Sequence, residues 1–348
     1  MIRTASIHNF RCYQDLNIDE CKRLNVIVGE NGSGKTSLLE AIFFALGVTS
    51  EIGMRYRQSR GMDGSFQGSP HRIEDAIWAN LFHNSNFSQP IRIELTGDGE
   101  EARSLHIAKG RAETQFDFGE GNSPPEHSEP IVLTWIDARG SEHSVRPKLT
   151  NGTAQFPSTG EDLPDFFLFP ANSLTGSQEG AARFSELSRS RRALLVSVLS
   201  KEYPWIEDLS IEVSGGHAAV FAAVAGSEEK RPLPYLSGGV NRVVNILMAI
   251  ASRPRSIVLI DELENGIHFR HHAAVWRILL SFMREFDSQI FVTTHSGELL
   301  KGLGKALGRS FKDVALWRTE RTKKNKHVLQ QFEGESLRAA IETETEVR

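Results

Sequence analysis

Cysteine is scarce in this chain: Cys12 and Cys21 are the only two among 348 residues. A disulfide framework is thereby excluded. The pair flank an expected strand, which leaves one bridge open, but two free thiols in a reducing compartment is the simpler expectation. Positive charge is not in excess either. Lys and Arg number 40 against 44 Asp and Glu, for a net charge of −4, so any nucleic-acid binding needs a local patch rather than a global field. No apolar run reaches membrane-spanning length, and Met1–His8 lacks the apolar core of a signal peptide. The expectation is a cytoplasmic protein without membrane contact. No heptad pattern persists and no internal repeat is visible, which excludes a long coiled coil and a solenoid. The 39% hydrophobic and 24% charged content is that of a globular chain, long enough for one large or two ordinary domains.

What is present is organised around Gly29-Glu30-Asn31-Gly32-Ser33-Gly34-Lys35-Thr36. This is the G-x-x-x-x-G-K-T pattern of a phosphate-binding loop. Leu24–Val28 before it has the composition of a buried strand. Ser37–Leu46 after it has that of a helix, stopped by Gly47. The glycines let backbone N–H groups wrap a polyphosphate at the positive end of that helix. Lys35 is expected to reach the β and γ phosphates and Thr36 to hold Mg²⁺, with Ser37 completing the loop. A glycine-rich turn that binds nothing is disfavoured, because strand, loop, Lys-Thr and helix agree.

Three further stretches fit the same site. Ser256–Ile260 is an apolar strand ending in Asp261-Glu262, and a buried parallel strand delivers such carboxylates to the ligand edge of its sheet. Asp261 is expected to hold Mg²⁺ and Glu262 to polarise the attacking water. Ser288–Thr294 is another apolar strand, ending at His295, which is placed to contact the γ-phosphate or the attacking water. Leu236-Ser237-Gly238-Gly239 opens a helix over Val240–Ala251 and supplies a second anion-binding N-terminus. The plainer reading of Ser237 is an N-cap.

Elsewhere the coarse pattern is mixed. Ile2–Ile7 alternates as a strand, and Asn9–Ile18 as a turn and a second strand. Residues 53–70 look like an exposed loop, and Ile73–Phe82 like a short helix. Alternating segments at 91–95, 104–107, 115–118 and 131–135 suggest an antiparallel sheet with one solvated face. Residues 147–164 look like polar loop, Asp165–Pro170 like a short strand, 180–200 like one helix carrying Arg183, Arg189, Arg191 and Arg192, and 209–224 like a strand pair turning at Gly215-Gly216. His268 and His272 stand one turn apart with His271 between, a spacing that can bind metal. No third ligand is evident, and zinc is not expected. Arg318–Lys326 is basic, and a solvated hairpin loop explains it better than DNA contact.

Phosphate loop, Leu-Ser-Gly-Gly, strand-Asp-Glu and strand-His follow one another in the order found in ATP-binding-cassette (ABC) ATPases. More closely, the chain resembles the ABC heads of SMC-type and RecF-type proteins, and closest of all the small stand-alone prokaryotic ATPases related to the OLD family. The residues that carry this are Asn9-Phe10-Arg11, the loop 29–36, Gly238–Arg242, Asp261–His268 and Thr293–Ser296; the ending Glu346-Val347-Arg348 is also similar. The sequence departs from the pattern at Val240, where transporter cassettes have Gln. No Q-loop glutamine is assigned, Gln178 standing in a loop-like setting. Residues 297–348 are too few for a Toprim nuclease and contain no Asp-x-Asp.

The resemblance implies one α/β P-loop head over 1–348. Its parts are a β prelude and phosphate loop (1–84), an antiparallel β subdomain (85–170), a small helical region with the signature motif (171–252), and the acidic strand, His switch and tail (253–348). It implies Mg-ATP hydrolysis, with two heads sandwiching ATP and Ser237 and Gly239 contacting the nucleotide held by the other head. Three functions follow: an ATP-gated switch for a separate effector such as a nuclease in phage defence, a DNA-clamping repair ATPase, or a transporter energy subunit. The early phosphate loop, the long 36–236 insertion and the Asn-Phe-Arg prelude count against the third.

Overall fold

A computed structural model describes residues 1–47, 78–99, 102–109, 131–137, 139–145, 148–150, 153–155, 165–171, 175–308, 311–323 and 326–342. The loop expected at 53–70, the strand at 115–118, the first half of the helix expected at 73–82 and the ending 346–348 lie outside these residues; the second half of that helix is a single 3-10 turn, Ala79–Leu81.

The chain opens with β1 (Ile2–Phe10) and β2 (Tyr13–Ile18), then β3 (Leu24–Val28), which feeds helix α1 (Lys35–Leu46). Next come β4 (Ile91–Gly97), β5 (Ala102–Lys109), β6 (Ile131–Ile136) and β7 (Glu142–Val145). With β1 and β2 they form one antiparallel sheet in the order β2-β1-β4-β5-β6-β7. The N-terminal prelude thus shares a sheet with the alternating segments. Strands β8 (Lys148–Thr150) and β9 (Thr153–Gln155) make a small hairpin, so the stretch expected to be loop contains paired strands. Its turn residues hid strands too short to show a period.

The second sheet is the core. It consists of β10 (Phe166–Phe169), β14 (Ile257–Ile260), β15 (Gln289–Thr293), β3, β16 (Val314–Arg321) and β17 (His327–Phe332), in that order. All pairs but the last are parallel. β3, β14 and β15 are buried at every position, because both faces are covered, and so their sequences run apolar without alternation. Val26, Val258, Ile260, Ile290, Val292 and Leu316 pack into one core cluster. Their neighbours Ile27, Ile257, Leu259, Phe291, Ala315 and Trp317 point into the other.

Helix α1 lies in that second cluster, between the two sheets, and is buried from Leu38 to Leu46. A helix apolar all round has no solvent face to offer. Its one buried acid, Glu40, pairs with Arg11 at 3.0 Å. Gln289 stitches the sheets together: its amide accepts from Ile2 N and donates to Ile2 O, both at 2.8 Å.

Between β10 and β14 the chain forms α2 (Ser177–Glu186), α3 (Arg189–Glu202), β11 (Ile206–Ser214), β12 (His217–Val224), the two-residue β13 (Arg231–Pro232) and α4 (Gly238–Ser252). The single helix expected over 180–200 is two. Leu187 is extended and Ser188 caps α3, its hydroxyl accepting from Arg191 N at 3.4 Å. Helices α5 (His272–Glu285) and α6 (Gly297–Leu307) follow β14 and β15, and α7 (Gly334–Glu342) follows β17. α4, α5 and α6 fill the first cluster. Among the described residues no helix is long and apolar enough to cross a membrane. Cys12 and Cys21 are free thiols. Of the basic stretch near the end, expected to be a hairpin loop, Arg318–Arg321 belongs to β16, which pairs with β17.

Candidate active site

Parallel pairing aligns the C-terminal ends of β10, β14, β15 and β3, with Phe169 opposite Ile260, Ile260 opposite Val292, and Val292 opposite Val26. The residues that leave those strands therefore meet at one edge. Gly29–Gly34 leaves β3 there. Glu30, Asn31 and Gly32 form an exposed tip, while Ser33 and Lys35 are buried. Gly29 and Gly34 have φ of 144° and 110°, values that a side chain resists. A Cβ on Gly29 would also run into the Thr319 carbonyl, and one on Gly34 into the Tyr13 hydroxyl. The loop's path requires glycine at both.

Lys35 Nζ donates to the carbonyls of Gly29 at 2.9 Å and Glu30 at 3.1 Å. The ammonium is thus held over the loop's own carbonyls, where phosphate oxygens would compete for it. Thr36 stands in the first turn of α1, and its hydroxyl donates to Asp261 Oδ1 at 3.0 Å. Asp261 follows β14 and is 7% exposed. A hydroxyl and a carboxylate side by side are the hard oxygen donors that Mg²⁺ takes, so Thr36 and Asp261 fit the ion expected of them.

Thr293 at the end of β15 joins this pair. Its hydroxyl donates to Asp261 Oδ1 at 2.6 Å and accepts from Glu262 N at 2.8 Å. One hydroxyl thereby fixes both acids. Glu262 has φ 52°, a left-handed conformation rarely adopted by a residue with a side chain, and this turns its carboxylate toward His295. His295 Nδ1 lies in short hydrogen-bond contact with Glu262 Oε2 and 3.2 Å from Glu264 Oε1. Glu264 Oε1 also accepts from His295 N at 3.0 Å. Burial, reinforced by the Glu264 carboxylate, raises the Glu262 pKa above the ordinary carboxylate value; His295 pulls it the other way. A carboxylate so tuned is a better proton acceptor from water than a solvated one. Glu262, Glu264 and His295 could also share a cation, their ligand atoms lying within 4.8 Å of one another.

The signature stretch lies near this edge, through Arg242. Ser237 is the N-cap of α4, accepting from Val240 N at 3.5 Å. Ser237 and Gly238 are exposed. Gly239, expected to reach a second nucleotide, is buried, its Cα set against the Gly266 carbonyl so closely that no Cβ would fit. Three residues on, Arg242 donates to Pro170 O at 2.8 Å, Asp261 O at 2.6 Å and Phe169 O at 3.4 Å. It pins α4 to the ends of β10 and β14.

Gln178 stands in the first turn of α2 rather than in a loop, and its Nε2 lies 2.9 Å from His217 Nδ1 of β12. Of the three clustered histidines, His268 and His271 meet edge to face, 6.3 Å between ring centroids. His271 packs on Tyr203, His268 on Phe269, and His272 Nε2 lies 3.3 Å from Ile267 O.

Thr293, Glu264 and Arg242 carried no role in the sequence. Each sits inside a matched motif, so position in the motif was the available signal. Thr319 and His327, which also touch the loop, lie in no motif at all.

The family described as "AAA domain, putative AbiEii toxin, Type IV TA system" matches residues 24–301. A Helicobacter pylori protein named ATP/GTP phosphatase is 21% identical over 330 residues, 88% of each chain. The DNA replication and repair protein RecF of Pediococcus pentosaceus is 30% identical over 110 residues, 32% of this chain and 27% of RecF. Among solved structures, an Smc head bound to the C-terminal winged-helix domain of ScpA matches with TM-score 0.53 at 14% identity, covering 95% of this chain and 97% of that one. An Smc head with an extended coiled coil, bound to the C-terminal domain of ScpA derived from Pyrococcus furiosus, matches with TM-score 0.50 at 12% identity, covering 100% and 99%. At such identities the likeness is one of fold: the α/β architecture is that of an Smc head.

Proposed function

Since the chain belongs to the AAA domain family that matches residues 24–301, and is an ATPase of that P-loop type, we propose that it is a Mg-ATP-driven switch whose two heads close around ATP. The observation that carries this is the convergence at one sheet edge of Lys35, Thr36, Asp261, Glu262 and His295. Within the family we place it beside the relatives of the OLD group.

In this reading Lys35 leaves the Gly29 and Glu30 carbonyls for the β and γ phosphates, and the loop amides from Gly29 to Ser37 surround the triphosphate. Mg²⁺, when bound by Thr36 and Asp261, neutralises charge on the phosphate oxygens. Glu262 takes the proton of the attacking water as it adds to the γ-phosphorus and the bond to the β-γ bridging oxygen breaks. His295, against both carboxylates, orients Glu262 and senses the γ-phosphate. Ser237 and Gly238, open at the head of α4, face the nucleotide of a second head. Gly239 supports them from below, on Gly266.

The output is a separate effector, such as a nuclease in phage defence, that binds the open and closed pairs with different affinity. The test is light scattering of Glu262→Gln with and without Mg-ATP. An ATP-stabilised dimer is expected; a monomer in both conditions removes the sandwich, and an unchanged dimer removes the gating. The RecF match supports a second reading, a head pair that clamps DNA. Retention of duplex DNA by that ATP-closed form, and not by the nucleotide-free chain, would favour it.

A further inference from the structure

Strand β16 runs parallel to β3 with Arg318 opposite Val28, so the next residue, Thr319, stands beside Gly29 as the phosphate loop begins. Thr319 is 1% exposed and Ser33 3%. The Thr319 hydroxyl donates to Val28 O at 3.1 Å. Its single proton is then committed, so in the 2.6 Å contact with Ser33 Oγ the serine is the donor. The return strand β17 begins at His327, opposite Arg321. His327 Nδ1 lies 2.8 Å from Ser33 O. A carbonyl only accepts, so Nδ1 carries a proton. The ring is braced edge-on by Tyr13, 5.7 Å between centroids, and Tyr13 with Cys12 closes over Gly34.

Ser33 is thus held by its hydroxyl and by its carbonyl. In a trans peptide C=O and N–H point in opposite directions. Fixing the Ser33 carbonyl on His327 therefore aims the Gly34 N–H away from the hairpin. We propose that Thr319 and His327 are positioning residues for nucleotide binding: they lock the Ser33–Gly34 peptide with its N–H on the phosphate side before nucleotide arrives. This rests on the ATPase reading above. Without the lock, that peptide must be ordered at the moment of binding, at the expense of affinity.

The test uses the full chain, with ATP affinity measured by titration calorimetry and KM and kcat measured separately. His327→Phe keeps the ring on Tyr13 and loses the donor. His327→Asn puts an N–H near the Nδ1 position. Thr319→Val keeps the shape and loses the hydroxyl, and Thr319→Ser restores it. Loss of one hydrogen bond should raise Kd and KM about five-fold in the Phe and Val variants, with kcat within about two-fold. Asn and Ser should recover most of the affinity. Unchanged affinity in folded Phe and Val variants overturns the proposal, as does a lower kcat at constant KM. If one deletion variant fails to fold, the other carries the test. If both fail, His327→Gln, whose amide sits at the Nε2 position, should bind more weakly than His327→Asn; equal binding overturns the lock. Wild-type binding lost in Lys35→Ala but intact in every hairpin variant sinks the lock alone. A wild-type chain that binds no ATP sinks the ATPase reading and the lock with it.

Discussion

The two six-stranded sheets share one hydrophobic layer through α1, yet they use their strands in different ways. In the antiparallel sheet burial alternates: Ile91, Ile93 and Leu95 face α1, and Arg92 and Glu94 face out. Across that outer face His8, Arg92, His106, Thr134 and Ser144 succeed one another through four strand pairs. Thr134 and Ser144 hydroxyls meet at 2.8 Å. In the parallel sheet β14 and β15 have no outer face, and each ends in chemistry: Asp261 and Glu262 follow β14, Thr293 closes β15 and His295 lies two residues on. Antiparallel strands turn back on themselves at both ends. Parallel strands present all their C-terminal ends on one side, so a site assembled from several strand ends is available only there.

The sharpest way to break this comparison is at the strand ends. Glu262→Gln should leave ATP bound and lower kcat by about 10²-fold or more, since only the proton acceptor is removed. Lys35→Ala should instead lose nucleotide affinity, because the cation that meets the phosphates is gone. Calorimetry and phosphate release separate the two. Tight binding by the lysine variant, or near-normal turnover by the glutamine variant, would mean these roles are misassigned.

A smaller effect should appear along the strands. Leu259→Ala and Ile260→Ala, successive positions on opposite faces of β14, should each cost about 2–5 kcal/mol of stability, because each opens a cavity in a different cluster. In β4 the same scan should alternate: Ile93→Ala costs as much, whereas Glu94→Ala stays within about 0.5 kcal/mol. Denaturant melts would show the period. A large loss at Glu94, or a neutral result at either β14 position, would contradict the two burial patterns.

That contrast also explains what could be read from the sequence. The core strands were legible because apolar runs ending in Gly-x-x-x-x-Gly-Lys-Thr, Asp-Glu or His join a period to a motif. The alternating strands were legible by period alone, which gave their existence but not their partners. Nothing local says that β1, besides its hairpin partner β2, also pairs with β4 almost ninety residues away. The two-helix break at Leu187 was hidden because the apolar spacing runs on across it, and only the Ser188 cap marks the restart. The inward turn of Gly239 was hidden for another reason. It depends on Gly266, which belongs to a different motif, and no reading of Leu-Ser-Gly-Gly alone contains it. Thr319 and His327 become visible only when β16 is laid beside β3.

The smallest expected effect concerns Ser237, where a capping role and a nucleotide-facing role coincide in one hydroxyl. As a cap it accepts from Val240 N, and Ser237→Ala should cost about 1 kcal/mol. Ser237→Asp keeps a capping oxygen and adds a negative charge at the positive end of α4, so the melting temperature should hold or rise slightly. If capping were all that Ser237 does, the aspartate variant would close around ATP as the parent does. In the sandwich, however, the same side chain faces the triphosphate of a second head, and a carboxylate there repels it. The expected outcome is therefore a split: unchanged stability with loss of the ATP-induced dimer, best seen in the Glu262→Gln background, where nucleotide is not consumed. Ser237→Ala should show the opposite split, a lower melting temperature with dimerisation weakened only modestly. An aspartate variant that dimerises normally would reduce Ser237 to a cap and leave Gly238 to face the partner alone.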